Sequence, residues 1–183
     1  MTSLVSRLGR MAFAILPLAA CSATAPTVPR ASHVDMARYM GDWYVIASIP
    51  SRFEKGATNA IESYRMAPDG TVETTFRYRK DNASGALKTM HATGFAHPET
   101  RNAVWGMQFI WPIKAQYVIA WIDPEYRFVI VARDKRDYVW VMARTPTVSD
   151  ADYKALAARV VEMGYDSQAL KRVPQQWPEP KAE

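Results

Sequence analysis

Residues 72–79 alternate strictly, with Val72, Thr74, Phe76 and Tyr78 on one parity and Glu73, Thr75, Arg77 and Arg79 on the other. A period of two with one apolar and one wet face fits an extended strand half-buried in a sheet. The same signal recurs along the chain. Asp69-Gly70 is a hairpin turn back to a strand carrying Tyr64 and Met66, and Asp81-Asn82-Ala83-Ser84-Gly85 is the next turn. A strand over 87–96 follows, then a break at His97-Pro98-Glu99. Beyond it Ala103, Trp105, Met107, Phe109 and Trp111 share one parity. Segments 43–49, 117–122, 127–132 and 138–143 are apolar on both faces, so they need a cover on the outside. Ser149-Asp150-Ala151-Asp152 supplies the start of one: an N-cap with an acidic first turn. Tyr153, Leu156, Ala157, Val160 and Val161 continue at helical spacing, and Gly164 stands at the stop. The expected fold is all-β: about eight antiparallel strands closed as an up-and-down barrel, which leaves no exposed edge, with one C-terminal α-helix packed outside.

The ends of the chain read differently. Arg7 and Arg10 precede an apolar run over 11–20, too short for a membrane span, which needs roughly 20 apolar residues. It ends in Leu18-Ala19-Ala20-Cys21, at the only cysteine of the 183 residues. That tetrapeptide resembles the lipobox of bacterial lipoproteins. The resemblance implies a signal peptide over 1–20, cleavage, lipidation of Cys21, and, because Ser22 rather than aspartate follows, residence at the bacterial outer membrane. Residues 21–33, small and interrupted by Pro26 and Pro29, read as a lipidated cysteine on a flexible tether. The domain is expected over 34–177 and a disordered tail over 178–183. With 49% hydrophobic and 11% aromatic residues the chain is a folded one, and a single cysteine forms no intramolecular disulfide. The net charge of +5 is partly carried by the leader and the ends, and no Lys/Arg block interleaved with aromatics marks a nucleic-acid surface.

An eight-stranded barrel either fills with side chains or holds one small ligand. Inward parity takes in Tyr64, Met66, Phe76, Tyr78, Trp140 and Met142, bulky residues with polar tips where a dry core would take Leu, Ile and Val. The pattern leans towards a cavity, and the physics alone leaves both forms open.

Gly41-Asp42-Trp43-Tyr44 at the first strand, Asp123-Pro124-Glu125-Tyr126 at a late turn, and Arg144-Thr145-Pro146 after the last strand resemble the three motifs of lipocalins, in order and on a barrel pattern. The resemblance spans 34–177 and is strongest to bacterial outer-membrane lipocalins, relatives of apolipoprotein D. Further resembling segments are 38–44, 52–56 and 137–146. It implies that Gly41, Trp43, Asp123, Tyr126 and Arg144 are structural, with the Arg144 guanidinium stacked on Trp43. It also implies that Trp140 lines the ligand cavity and that Tyr64 touches ligand. Alternation alone adds Met142, Tyr78, Phe76, Phe109 and Tyr117, and Lys114 is a candidate cation for a head group at the mouth. Two departures stand out: Ile122 where many relatives carry threonine, and a loop over 112–116 that does not match closely.

No catalytic or metal constellation is legible. His33, His91 and His97 are dispersed and lack ligand spacing; His91, on a strand crossing the barrel, is the one residue a haem would use. No cofactor is expected. The reading is a lipocalin that binds a fatty acid or lysophospholipid in its barrel for lipid storage, transport or envelope maintenance, held at the outer membrane by Cys21, with a homodimer left open. Against it stand an enzyme built on the same barrel and a structural envelope lipoprotein whose barrel is filled.

Overall fold

The alternation is realised as eight strands: β1 (Gly41–Ile49), β2 (Ala57–Met66), β3 (Val72–Lys80), β4 (Leu87–Ala96), β5 (Val104–Ile110), β6 (Ile113–Ile122), β7 (Phe128–Ala132) and β8 (Val139–Ala143). The computed structural model describes residues 27–51 and 54–180; the leader, Cys21, and Arg52 and Phe53 of a resembling segment lie outside them. Each strand pairs antiparallel with the next, and β1 pairs with both β2 and β8, so the sheet closes into a barrel. A ninth strand, β9 (Lys171–Arg172), adds to β1 at Ala47 and Ser48.

Two apolar clusters divide the molecule. The inner one joins Trp43, Val45, Tyr64, Val72, Phe76, Tyr78, Trp105, Met107, Tyr117, Ile119, Val129, Val131 and Met142. The outer one joins Ala47, Val118, Ala120, Ile130, Val139 and Val141 to the helix α2 (Asp150–Glu162) through Leu156 and Val160. This is the cover that the doubly apolar strands require. Ser149 Oγ accepts from the Asp152 amide at 3.0 Å to start the helix, and Gly164 ends it at φ +88°, the left-handed turn that glycine takes without strain.

A short helix α1 (Met36–Tyr39), capped by Asp35, plugs one end. The loops joining β1–β2, β3–β4, β5–β6 and β7–β8 all lie at the other end, which forms the mouth.

The described segments nearest the two ends, 27–33 and 171–180, pack on the barrel, and residues 181–183 of the expected tail lie outside the described residues. Residues 27–33, assigned to a tether, run along the barrel: Val28 is buried in the outer cluster, its amide donates to Asp134 Oδ1 at 3.0 Å, and Arg30 pairs with Asp134 at 2.9 Å. At the other end, β1 and β2 pair only at 41–44 with 61–64. Above that the C-terminal segment bridges them, the Gln175 amide donating to the carbonyls of Val45 (2.9 Å) and Ala60 (3.1 Å). Residues 178–180 are accordingly not a free tail. Glu179 binds Arg77 at 3.1 Å and Arg79 at 2.8 Å, and those guanidiniums hold its carboxyl below the usual range against the cost of burial.

Candidate ligand-binding site

The closed end is a fully bonded floor. The Arg144 guanidinium lies 3.8 Å from the Trp43 ring centroid and donates to the carbonyls of Asp42 (2.8 Å), Arg38 (2.5 Å) and Tyr39 (3.1 Å). Trp43 Nε1 donates to Tyr39 O at 2.8 Å. Gly41 holds φ +92°, where a side chain meets backbone strain, although a Cβ would make only an ordinary 3.5 Å contact with Arg144. Asp123, almost fully buried, accepts from the amides of Arg127 (2.5 Å) and Phe128 (2.8 Å). Tyr126, at φ +58°, accepts from the Asp35 amide at 2.8 Å and so ties the β6–β7 turn to α1. All five motif residues therefore sit at the floor.

Above the floor the inner face changes character. Tyr39, Tyr117 and Tyr64 form a hydroxyl chain, with O···O distances of 2.7 Å and 2.6 Å, and Tyr64 donates onward to the Glu62 carboxylate. Burial drives all three phenols well above their usual range. Glu62 pairs across the sheet with Trp43 on β1 and Phe76 on β3, both inward, so it faces the interior. Burial pushes its carboxyl up to about 7; the Tyr64 bond opposes this and the charge of Glu54 adds to it. Glu62 is surrounded by protein yet remains partly open to solvent. Glu62 therefore stands where solvent still reaches the inner face. Met90, Ala92 and Trp140 are likewise inward and partly exposed.

At the mouth, Trp140 stands on β8 opposite Val131, one inward step above Met142. Glu54, from the β1–β2 loop, accepts from the Ser51 amide at 3.0 Å, and burial raises its carboxyl. The Trp140 indole is close enough to favour the Glu54 charge but lies outside hydrogen-bond geometry, so its buried N–H has no partner among the described residues. The Thr74 hydroxyl, also inward, is the other such group in the lumen.

Of the residues expected to line the site, Trp140, Tyr64, Met142, Tyr78, Phe76 and Tyr117 come together on this inner face. Phe109 and Lys114 do not. A bulge between Met107 and Ile110 shifts the register of β5 against β6, and Phe109 ends 54% exposed. Lys114 lies on the outer wall, its ammonium 3.4 Å from the Phe95 ring centroid. The lysine that does share the inward parity near the rim is Lys88, opposite Tyr78 and next to the β3–β4 loop. Met66 runs past the floor and is exposed. His91 faces outward beside Thr75 at 3.2 Å, away from any interior ligand. Two surface clefts of about 370 and 420 Å³ follow the C-terminal segment, and neither is lined by these inner-face residues.

The barrel, the three motifs at its floor and the lined interior agree with a match of residues 34–175 to the model of a lipocalin-like domain. The chain belongs to the lipocalin family. Temperature-induced lipocalin-1 of Arabidopsis thaliana is 31% identical over 150 residues, covering 78% of this chain and 80% of that one. Outer membrane lipoprotein Blc of Escherichia coli K12 is 31% identical over 151 residues, covering 80% and 84%. Bovine apolipoprotein D is 30% identical over 130 residues, covering 66% of each chain. Insecticyanin of the tobacco hornworm Manduca sexta superposes with a TM-score of 0.68 at 11% identity, over 86% of this lipocalin and 89% of that chain, and shares the fold. Lipocalins are in general binding proteins for small hydrophobic molecules rather than enzymes.

Proposed function

We propose that this lipocalin binds a single-chain lipid, a fatty acid or lysophospholipid, with its hydrocarbon in the barrel and its head at the mouth. The observation that carries the reading is the set of inward side chains that remain open to solvent, Glu62, Met90, Ala92 and Trp140. A filled structural barrel would close over them. The driving force is removal of apolar surface from water, about 0.8 kcal/mol per methylene, so a chain of about fifteen gains on the order of 10 kcal/mol before the costs of ordering. Trp140, Phe76, Tyr78 and Met142 contact the chain, and Lys88 at the rim meets a carboxylate or phosphate.

The mouth also carries an apolar hairpin tip: Trp111 is 82% exposed and Ile110 73%, with Phe109 and Ile113 beside them. Apolar surface at a barrel mouth supports exchange of ligand with a lipid surface. Anchoring at the outer membrane through a lipidated Cys21, as the lipobox resemblance implies, would hold the mouth near such a surface, and the similarity to outer membrane lipoprotein Blc agrees with it. The reading is tested by titrating the protein with lysophospholipid and with hexadecanoate while following tryptophan fluorescence, wild type beside Trp140→Ala. It expects saturable one-to-one binding that weakens about tenfold or more in the variant. No saturable response to either amphiphile, with the fold intact, would return the protein to the structural class.

A further inference from the structure

The base of the lumen holds polar capacity that a plain hydrocarbon tail cannot use. We propose that Glu62 and Thr74 form a subsite for a hydroxyl group, so that the preferred amphiphile carries an alcohol on its buried end. The proposal rests on the single-chain-lipid reading and narrows its ligand class.

Proton accounting along the tyrosine chain leads to it. Each phenol has one proton to give. With Tyr64 donating to Glu62, the Tyr64 oxygen accepts from Tyr117 and the Tyr117 oxygen from Tyr39. All three protons are spent in one direction, and they end on a single carboxylate oxygen. The other oxygen of Glu62 has no hydrogen-bond partner among the described residues. Thr74 is the second, independent observation: it is only 5% exposed, and its Oγ1 has no partner among the described residues. Tyr64 stands directly opposite Thr74 in the β2–β3 ladder and Glu62 opposite Phe76, so Glu62 and Thr74 are diagonal neighbours on the inner face. Diagonal positions lie about 7–8 Å apart at the backbone, still within reach of a long side chain, and one ligand oxygen would sit between the two polar ends.

A hydroxyl matches both groups at once, donating to the free Glu62 oxygen and accepting the Thr74 proton. If Glu62 is protonated the roles exchange and the match survives. A methyl end leaves both groups unmet, which is unfavourable for buried polar atoms. A carboxylate end meets the Glu62 charge, and among the described residues no basic side chain is paired with Glu62 to offset it. That leaves the acid at the mouth and the alcohol at the base.

The test compares saturated fatty acids of ten to sixteen carbons with their ω-hydroxy counterparts, measuring dissociation constants by calorimetry for wild type, Thr74→Val and Glu62→Leu, with Glu62→Gln as the shape-preserving control. At the chain length that reaches the base, wild type should favour the ω-hydroxy acid by about tenfold or more. Thr74→Val and Glu62→Leu should each remove most of that preference, while Glu62→Gln keeps part of it and the plain acids bind within a few-fold of wild type. Binding of the plain acids with no hydroxyl preference at any length overturns the subsite and leaves the lipid reading standing. A hydroxyl preference that survives both apolar variants also overturns it. If neither series binds, subsite and lipid reading fall together.

Discussion

The floor of the barrel and the lumen just above it are built on opposite principles within one or two residues of each other along the same strands. At the floor, Trp43, Arg144, Asp123 and Tyr126 all have bonded polar groups, and the ring and guanidinium stack closely. In the lumen, Glu62 is ionisable, partly wet and shifted towards neutrality, while the Thr74 hydroxyl and the Trp140 indole N–H go unbonded among the described residues. Buried polar groups in folded proteins are overwhelmingly paired. A region that meets the rule beside one that breaks it separates scaffold from site.

The contrast makes predictions of decreasing size. Trp43→Ala removes a fully buried indole from the floor and should cost about 3–5 kcal/mol of stability, read as a lower urea midpoint. A loss under about 1 kcal/mol would mean that the floor is not the scaffold. Glu62 should act through pH. Its carboxyl is raised from 4.5 to about 7, so the native state keeps a proton that the unfolded chain releases. The favourable contribution is complete below about 4.5 and is lost as pH rises through about 7, amounting to on the order of 3 kcal/mol by pH 8. Glu62→Gln should flatten most of that slope between pH 5 and 8, leaving the part due to Glu54, whose carboxyl is also raised. An unchanged slope would place the titration elsewhere. The smallest effect is expected at Thr74→Val. Deleting an unbonded buried hydroxyl for a methyl of similar shape should leave stability within about 0.5 kcal/mol or raise it slightly, where the same change at a bonded hydroxyl costs about 1 kcal/mol. A clear destabilisation would show that Thr74 has a partner after all.

Most of the scaffold was legible because strand alternation is a local property. The parity of Val72, Thr74, Phe76 and Tyr78 is the observed inner face, and Ser149 and Gly164 bound the helix as expected. Glu62 obeys the same rule, two residues before Tyr64 on one face, but a carboxylate argues against burial in sequence; its place opposite Trp43 and Phe76 becomes visible only with the register. Lys88 could have been found by carrying the hairpin register from Tyr78 across the turn. Phe109 could not, because one extra residue in the β5 bulge reverses the facing beyond it, and Lys114 could not, because 112–116 reads as a loop where β6 already begins at Ile113. The packing of segments 27–33 and 178–180 was not legible for a different reason. Arg30 and Asp134, or Arg77 and Glu179, are about a hundred residues apart, and no short-range pattern announces such pairs.

The most direct test of a hollow, lipid-binding barrel is to soak crystals with 12-bromododecanoic acid and locate the bromine by anomalous scattering. The account predicts one peak inside the barrel, among Glu62, Thr74, Phe76 and Met90, with the carboxylate towards Lys88. Bromine found only on the outer surface, with the interior unchanged, would contradict it.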